Sequence, residues 1–237
     1  MFLAKEDVKE ENCCCATSSC CAGAEEEKTN ERYITGRTDT KVGKIPLLST
    51  TLTKTDRWEH FKVRMRIGRM NYKVEPGIYA VGTPDPGSPV LISANYKLSF
   101  DILRRELKNI NAWILVLDSK GINVWCAAGK GTFGTQELVN KIKSTGLGKI
   151  VNHKKLIVPQ LGAPGISAHR VKKLSGFSVI YGPVIASDIP VFLEAGMKAA
   201  AEMRRVRFPL RDRIVLIPVE LAQGIRYLVF VTFSIFL

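Results

Sequence analysis

The strongest constraint on the fold is a repeated alternation of apolar and amphipathic segments between residues 90 and 205. The apolar segments have the length of strands: Val90–Ser93, Ala112–Leu117, Lys155–Val158 and Phe177–Tyr181. Helical periodicity predicts helices near 100–107, 135–144, 167–174 and 189–205. Apolar strands that alternate with amphipathic helices predict an α/β, Rossmann-like fold with a mostly parallel sheet covered on both faces. Such sheets bind their ligands at the carboxyl ends of the strands.

The residues before this region have a different pattern. Charged and apolar residues alternate from Trp58 to Val81, which predicts a half-exposed strand or ribbon. The first 57 residues are polar, begin with a cysteine-rich segment and lack apolar periodicity, so we expect residues 1–57 to be disordered. The predicted folded domain is therefore 58–213.

The charge of the chain is unevenly distributed. The net charge is +13, but residues 1–31 carry −5, so the remaining residues carry +18. A basic body of this size predicts phosphate, nucleic acid or an anionic membrane surface as a partner, and charge alone does not separate these classes. Eight basic residues between Lys141 and Lys173 are unopposed by acids and form either a binding surface or a solvated face.

Five of the six cysteines lie within nine residues, from Cys13 to Cys21. Their spacing does not match the Cys-x2-Cys pairs of structural zinc sites or the ligand sets of iron–sulfur clusters. Two alternatives stay open: the cysteines bind a soft metal, or the segment is a variable terminus without a specific function. Cys126 stands alone in the predicted domain, which excludes a disulfide framework there. Because no secretory signal precedes the cysteines, we expect a reducing compartment.

The last residues are predicted to begin a membrane region. Five arginines between Arg204 and Arg213 precede an apolar run from Tyr227 to Leu237. Eleven uncharged residues are too few to span a bilayer, which needs about 20. We therefore expect 214–237 to be the truncated start of a transmembrane region, with the arginines on the cytoplasmic side; an interfacial helix is the alternative.

The densest chemical signal surrounds Cys126. Gly129, Gly131 and Gly134 form a G-x-G-x-x-G pattern between a predicted strand and a predicted helix, as in a dinucleotide-binding turn. Such a turn needs an acidic residue about 20 positions later to bind the ribose, and residues 138–187 contain none. Nucleotide binding is therefore a secondary hypothesis. The thiol itself, at a predicted strand end, is either a buried structural group or a reactive one.

The segment Asn123-Val-Trp-Cys-Ala-Ala-Gly-Lys-Gly131 closely resembles the cap-helix motif of the membrane-bound corrinoid proteins of microbial mercury methylation, the HgcA family. This family is related to the corrinoid iron–sulfur protein of the acetyl-CoA pathway. The resemblance covers roughly residues 75–220 and includes Ala94–Asp101, Val158–Gly165 and Leu174–Pro183. It implies a Rossmann-like corrinoid-binding domain followed by membrane helices. It also implies a corrinoid-dependent methyltransferase that transfers a methyl group from cobalt to Hg(II), forming methylmercury.

The resemblance implies site residues as well. Cys126 would be the lower axial ligand of the cobalt in a cobalamin-type corrinoid, and a thiolate is a soft, strongly donating ligand suited to this role. The other expected contacts to the corrinoid are Ser93, Ser99, Asn123, Trp125, Ala127, Ala128, Gly129, Lys130, Gly131, Gly162, Ala163 and Ala186. For Ser99, a plain helix cap is the alternative.

The resemblance further implies partners, because cobalt chemistry needs electrons and a source of methyl groups. These are a ferredoxin-like protein with two [4Fe–4S] clusters, a methyl-donor protein, Hg(II) as substrate and membrane lipid, without nucleic acid. The expected location is the cell membrane, with the corrinoid domain on the cytoplasmic side. Two alternatives stay open: a corrinoid methyl carrier of one-carbon metabolism, and a non-catalytic basic α/β module that binds nucleotide or lipid.

Overall fold

A computed structural model of the chain describes residues 32–207 and, beyond them, 210–214, 217, 221, 224, 225, 232 and 234. The strands in this part are β1 (Ile34–Thr40), β2 (Gly43–Leu48), β3 (Ile78–Val81), β4 (Val90–Ala94), β5 (Ala112–Leu117), β6 (Lys155–Val158) and β7 (Ser178–Tyr181). The helices are α1 (Lys54–Arg64), α2 (Lys97–Glu106), α3 (Val124–Lys130), α4 (Thr135–Ser144), α5 (Leu147–Ile150), α6 (Ala168–Ser175), α7 (Ile189–Glu194) and α8 (Leu210–Ile214).

The strands form one sheet in the order β1-β2-β3-β5-β4-β6-β7. The pairs β2–β3, β4–β5, β4–β6 and β6–β7 are parallel, whereas β1–β2 and β3–β5 are antiparallel. The predicted α/β fold with a mostly parallel sheet is therefore confirmed.

Helices cover both faces of the sheet. Every residue of β4 and β5 is buried, which explains why these strands are continuous apolar runs rather than alternating ones. On one face, Ile92 and Leu115 pack in a core that includes residues of α3, α4, α5 and α6. On the other face, Leu91 and Ile114 pack with residues of α2 and α7.

The prediction of a half-exposed strand or ribbon from Trp58 to Val81 is wrong for most of its length, because α1 begins at Lys54. Thr53 caps this helix: its hydroxyl oxygen accepts a hydrogen bond from the Asp56 N–H at 3.1 Å, and the Asp56 carboxylate accepts one from the Thr53 N–H at 2.9 Å. This capping box satisfies two backbone N–H groups and so stabilises the start of a helix. The alternation of charged and apolar residues carries no information about this stabilisation. Only Ile78–Val81 is a strand here.

The expected disorder of residues 1–57 is wrong for the part that the structure describes. From Arg32 onward the chain is folded: β1 and β2 form a hairpin that adds two strands to the edge of the sheet. Tyr33, Ile45 and Leu48 of this segment are buried in the core. Residues 1–31, with the clustered cysteines, lie outside the described residues.

The helix predicted over 189–205 is shorter than expected. It ends at Glu194, and both Gly196 and Met197 have positive φ values, of +68° and +64°, which an α-helix does not continue through. A 3-10 turn at Ala201–Arg204 follows.

The predicted membrane region, 214–237, lies largely outside the described residues. Among the residues that are described, α8 is a single short helix, and none of the helices is both long and apolar enough to cross a bilayer.

A buried ion network attaches α1 and the preceding loop to α2. The Arg104 guanidinium is fully buried and donates to Asp101 at 2.8 Å, to Asp56 at 3.1 Å and to the carbonyl oxygen of Ser49 at 2.6 Å. Lys97 and His60 also contact the Asp101 carboxylate, at 2.7 and 2.8 Å. Although burial opposes ionisation, the hydrogen bond from His60 and the charge of Lys97 hold the pKa of Asp101 below its usual value.

The Asp101→Ala variant tests this network. The substitution removes one of the two carboxylates that pair with the buried Arg104, and the carboxylate that Lys97 and His60 contact, so we expect the free energy of unfolding to fall by about 3–5 kcal/mol. Urea denaturation followed by tryptophan fluorescence measures the change. The control is Glu106→Ala on the same helix, which removes a surface pair with Arg105 and should change stability by less than about 1 kcal/mol. Equal losses in the two variants would contradict the assignment.

Candidate functional site

The candidate site lies where the direction of the chain through the sheet reverses. After β4 the chain enters β5 on one side, and it then returns to place β6 on the other side of β4. In α/β sheets a crevice opens at such a reversal, outside the carboxyl ends of the strands. Here β4 and β6 pair at a single position, Leu91 with Ile157. Because this pair precedes the last residues of both strands, the strands are already separate at their carboxyl ends, where the crevice opens.

A cavity of about 320 Å³ occupies this crevice. Its floor is apolar and comes from the strands and from α2, with Ile92, Leu103 and Ile157 as examples. Its polar side chains are few: Ser93 at the end of β4, Ser99 in the first turn of α2, and Asn123 before α3. The remaining lining residues are Leu91, Ile102, Val124, Trp125, Pro159, Leu161, Gly182, Pro183, Val184, Ala186 and Ile189.

The short helix α3 forms one wall and carries Cys126. The side-chain oxygen of Asn123 accepts a hydrogen bond from the Cys126 N–H at 2.9 Å, so Asn123 caps the helix. Trp125 and Cys126 are exposed, Trp125 at 61%, whereas Ala127 and Ala128 are buried on the opposite side of the helix. The helix therefore presents its tryptophan and its thiol away from the core.

The prediction that Cys126 lies at a strand end is wrong, because the strand ends at Leu117 and the cysteine lies within α3. The Asn123 cap and the run of alanines favour a helix locally. Gly131, with φ of +80°, ends it. Since the thiol is exposed, the structural alternative of a buried cysteine is wrong as well.

A buried amide holds the loop that leads into α3. The side-chain oxygen of Asn95, directly after β4, accepts hydrogen bonds from the backbone N–H groups of Ser119 and Gly121, at 3.1 and 2.9 Å. The Ser119 hydroxyl also donates in this loop and lies 2.6 Å from the carbonyl oxygen of Ile122. Asn95 is only 2% exposed, so these bonds are shielded from water. They fix the start of α3 relative to the end of β4.

The loop after β6 supports α3 from below. Gly165 approaches so closely that a Cβ atom there would lie 2.1 Å from the carbonyl oxygen of Phe133 and 3.0 Å from the Cα of Ala128. Its own carbonyl oxygen accepts a hydrogen bond from the Thr135 N–H at 3.1 Å. Only a glycine permits this contact between backbones.

The structure brings some of the expected corrinoid contacts together and separates others. Ser93, Ser99, Asn123, Trp125 and Ala186 line the cavity. Cys126 directly follows two lining residues of α3. Because α2 is capped at Tyr96, Ser99 lies inside the helix and the alternative of a plain cap does not hold.

The remaining expected contacts lie outside the cavity lining. Ala127 and Ala128 are in the core, and a Cβ on Gly162 would meet the Phe133 ring at 2.6 Å, so these positions support the wall from behind. The other positions are Gly129, Lys130 and Gly131 at the exposed end of α3, and Ala163, which is half-buried and follows a 3-10 turn at Gln160–Gly162.

Sequence reasoning missed Asn95, Ser119 and Gly165, which position α3 without lining the cavity. Asn95 and Gly165 fall in segments that carried the resemblance, but the groups that they position, Ser119 for Asn95 and Ala128 and Phe133 for Gly165, lie 24 or more residues away along the chain. Only the fold brings these groups together.

The profile of a protein family described as the CO dehydrogenase/acetyl-CoA synthase delta subunit matches residues 66–193, more than half of the chain. The chain belongs to this family. The matched range contains the crevice, α3 and the loop after β6. The predicted relationship to the corrinoid protein of the acetyl-CoA pathway is confirmed at this level, while the closer resemblance to mercury-methylation proteins stays a prediction.

The chain is also similar to individual proteins whose names come from the acetyl-CoA and corrinoid/iron-sulfur systems. The acetyl-CoA decarbonylase/synthase complex subunit gamma of Methanopyrus kandleri is 32% identical over 124 residues, which are 52% of this chain and 26% of the relative. The same subunit of Methanothermobacter thermautotrophicus is 32% identical over 151 residues, 60% of this chain and 32% of the relative. The corrinoid/iron-sulfur protein large subunit of Moorella thermoacetica is 28% identical over 163 residues, 68% of this chain and 34% of the relative. The chain thus spans about a quarter to a third of the length of these relatives.

The Gly165→Ala variant tests the support of α3. The added methyl group would overlap the backbone at Phe133 and Ala128, so we expect the free energy of unfolding to fall by about 1–3 kcal/mol. Urea denaturation measures it. The control is Gly129→Ala, within α3, where a Cβ has no atom within 4 Å. Because alanine favours a helix, the control should be neutral or slightly stabilising. A neutral Gly165→Ala would show that the contact is not needed.

Proposed function

We propose that this chain binds a corrinoid in the crevice and takes part in transfer of a methyl group carried on the cobalt. The observation that carries the proposal is the juxtaposition of a mostly apolar cavity at the strand ends with a helix that exposes Trp125 and Cys126. The name of the Moorella relative, a corrinoid/iron-sulfur protein, supports the same cofactor.

The residues of the crevice fit a corrinoid in character. A corrin ring is broad and mostly apolar, with amide side chains at its rim, and it needs an apolar surface with a few polar groups. Ile92, Leu103 and Ile157 supply the apolar floor, and Ser93 and Ser99 add polar groups to the lining. The cavity is smaller than a whole corrinoid, so it would hold part of the ring, with the exposed face of α3 as a further surface.

Cys126 is the residue that we propose as a ligand of the cobalt. When bound, the corrinoid would supply a cobalt ion that accepts and releases a methyl group. The Cys126 thiol is exposed, so it is accessible to a metal without a change of the backbone. Asn123 holds the first turn of the helix, and Trp125, next to Cys126 in the chain, lines the cavity. These residues would orient the ligand rather than react.

Two roles are considered for the carried methyl group. The comparisons give better support to the first, a methyl carrier in the one-carbon metabolism of the acetyl-CoA pathway, because the similar proteins carry names from that pathway. Transfer to Hg(II), forming methylmercury, is the second candidate. The observation that favours it is the exposed cysteine in the Asn123–Gly131 segment. A thiolate at Cys126 would donate electron density to the metal that it ligates, which favours transfer to an electrophilic acceptor.

The proposed partners follow from this role. They are a ferredoxin-like protein with two [4Fe–4S] clusters as the electron donor and a separate protein as the methyl donor. The names of the relatives, as subunits of complexes, support protein partners in general. Membrane lipid, and a location of the domain on the cytoplasmic side of the cell membrane, stay proposals that rest on the sequence of residues 204–237.

Spectroscopy of the full chain with cob(III)alamin tests the cofactor and its ligand. We expect the visible absorption bands to shift on mixing, because a sulfur ligand from Cys126 would replace one of the ligands that the free cofactor carries. Cys126→Ala should abolish the shift, and Cys126→His should give a different one. In the control, serine replaces the five clustered cysteines, Cys13, Cys14, Cys15, Cys20 and Cys21, and the shift should persist. A spectrum that Cys126→Ala leaves unchanged would refute the ligand assignment, and no shift at all would favour a non-catalytic module.

A methyl-transfer assay with Hg(II) distinguishes the two candidate functions. The full chain loaded with methylcobalamin is mixed with Hg(II), and methylmercury is quantified against free methylcobalamin at the same concentration. If Hg(II) is an acceptor of the protein, the rate should exceed that of the free cofactor by at least tenfold and should fall with Cys126→Ala. A rate no higher than that of the free cofactor would leave the one-carbon role as the better candidate.

A further inference from the structure

The cavity at the strand ends is not the only concave surface in the described part of the chain. A cleft of about 530 Å³ lies between α1, α2 and the segment before α1. Arg57 and Arg64 of α1 line it from one side, and Arg105 and Lys108 line it from the other. It is separate from the corrinoid crevice, because the two have no lining residue in common.

The cleft is strongly cationic, and no carboxylate lines it. Among the described residues, Arg57, Arg64 and Lys108 form no ion pair. Of the nearby acids, Glu59 pairs with Arg32, outside the cleft, and Glu106 pairs with Arg105, so Arg105 is the lining arginine whose charge is already compensated. The unpaired cations therefore repel one another across the cleft, and a bound anion would relieve this repulsion.

The network beneath the cleft keeps its charges balanced without help from these cations. The carboxylates of Asp56 and Asp101 are paired with Arg104 and Lys97, all on the buried side of α1 and α2. His60, which lines the cleft, contacts Asp101 with its Nε2 atom at 2.8 Å. The positive charge of the cleft is thus not a counter-charge for the buried acids.

The chemistry of the cleft indicates which anion it would take. Arginine binds phosphate oxygens in pairs through its planar guanidinium group, and lysine adds a point charge. The hydroxyl groups of Thr50 and Thr51 lie at the same cleft and can donate to phosphate oxygens. We propose that the cleft between α1 and α2 binds the phosphoryl group of a ligand, either a free phosphate compound or the headgroup of an anionic phospholipid.

An aromatic pair next to the cleft bears on the source of the phosphate. Trp58 and Phe61 stack with ring centroids 5.5 Å apart and are 59% and 50% exposed. Phe61 also lines the cleft. Exposed aromatic rings beside basic residues are common where a helix meets a membrane surface, and they also stack on the base of a nucleotide. Both sources share the phosphoryl contact, so the experiment has one arm for each.

The test compares two variants of the full chain that lose three positive charges each. The cleft variant is Arg57→Gln, Arg64→Gln, Lys108→Gln. The control variant is Arg170→Gln, Lys172→Gln, Lys173→Gln, which removes exposed, unpaired cations from α6. Circular dichroism checks that both are folded. The probes are inorganic pyrophosphate, followed by titration calorimetry, and vesicles of phosphatidylglycerol or phosphatidylcholine, followed by co-sedimentation.

We expect the cleft variant to lose at least tenfold in affinity for pyrophosphate, for phosphatidylglycerol vesicles or for both, while the control variant changes less than twofold. A loss with pyrophosphate alone identifies a soluble phosphate compound as the ligand. A loss with phosphatidylglycerol, but not with phosphatidylcholine, identifies a lipid headgroup. If the two variants behave alike with every probe, the proposal is overturned. Since no corrinoid is present, the outcome is independent of the methyl-transfer proposal.

Discussion

The position of Cys126 depends on one buried amide. Asn95 follows β4, and its side-chain oxygen holds two backbone N–H groups of the loop that leads from β5 into α3. Because these donors have little access to water, losing the acceptor would leave them unsatisfied, which is expensive in free energy. The loop is therefore locked to the sheet, and the helix that starts after it has a defined place beside the crevice.

The central strands could be predicted from the sequence, because β4 and β5 are buried on both faces and are therefore uninterrupted apolar runs. The strand ends were correctly expected to carry the cavity. The order of the strands was not predictable from the same pattern, since it depends on which neighbour each strand pairs with. It is this order, with β6 next to β4, that opens the crevice.

The secondary structure predicted from periodicity is wrong where a local interaction outweighs the periodic pattern. The alternation from Trp58 onward resembles a strand, but the reciprocal bonds of Thr53 and Asp56 start a helix before it. The pattern around Cys126 predicts a strand end, but Asn123 caps a helix there. The role of Asn95 had no local signal, because its hydrogen-bond partners lie more than 20 residues further along the chain.

The cap of α3 also bears on why position 123 carries asparagine rather than the nearly isosteric aspartate. Aspartate caps a helix as well as asparagine does, and it would interact more favourably with the positive end of the helix dipole. At position 123, however, it would add a negative charge one turn from Cys126, the residue proposed as a ligand of the cobalt, which would bind the metal as an anionic thiolate. The neutral amide of Asn123 keeps the cap without adding this charge, so the cap and the proposed thiolate ligand are compatible in one turn of helix.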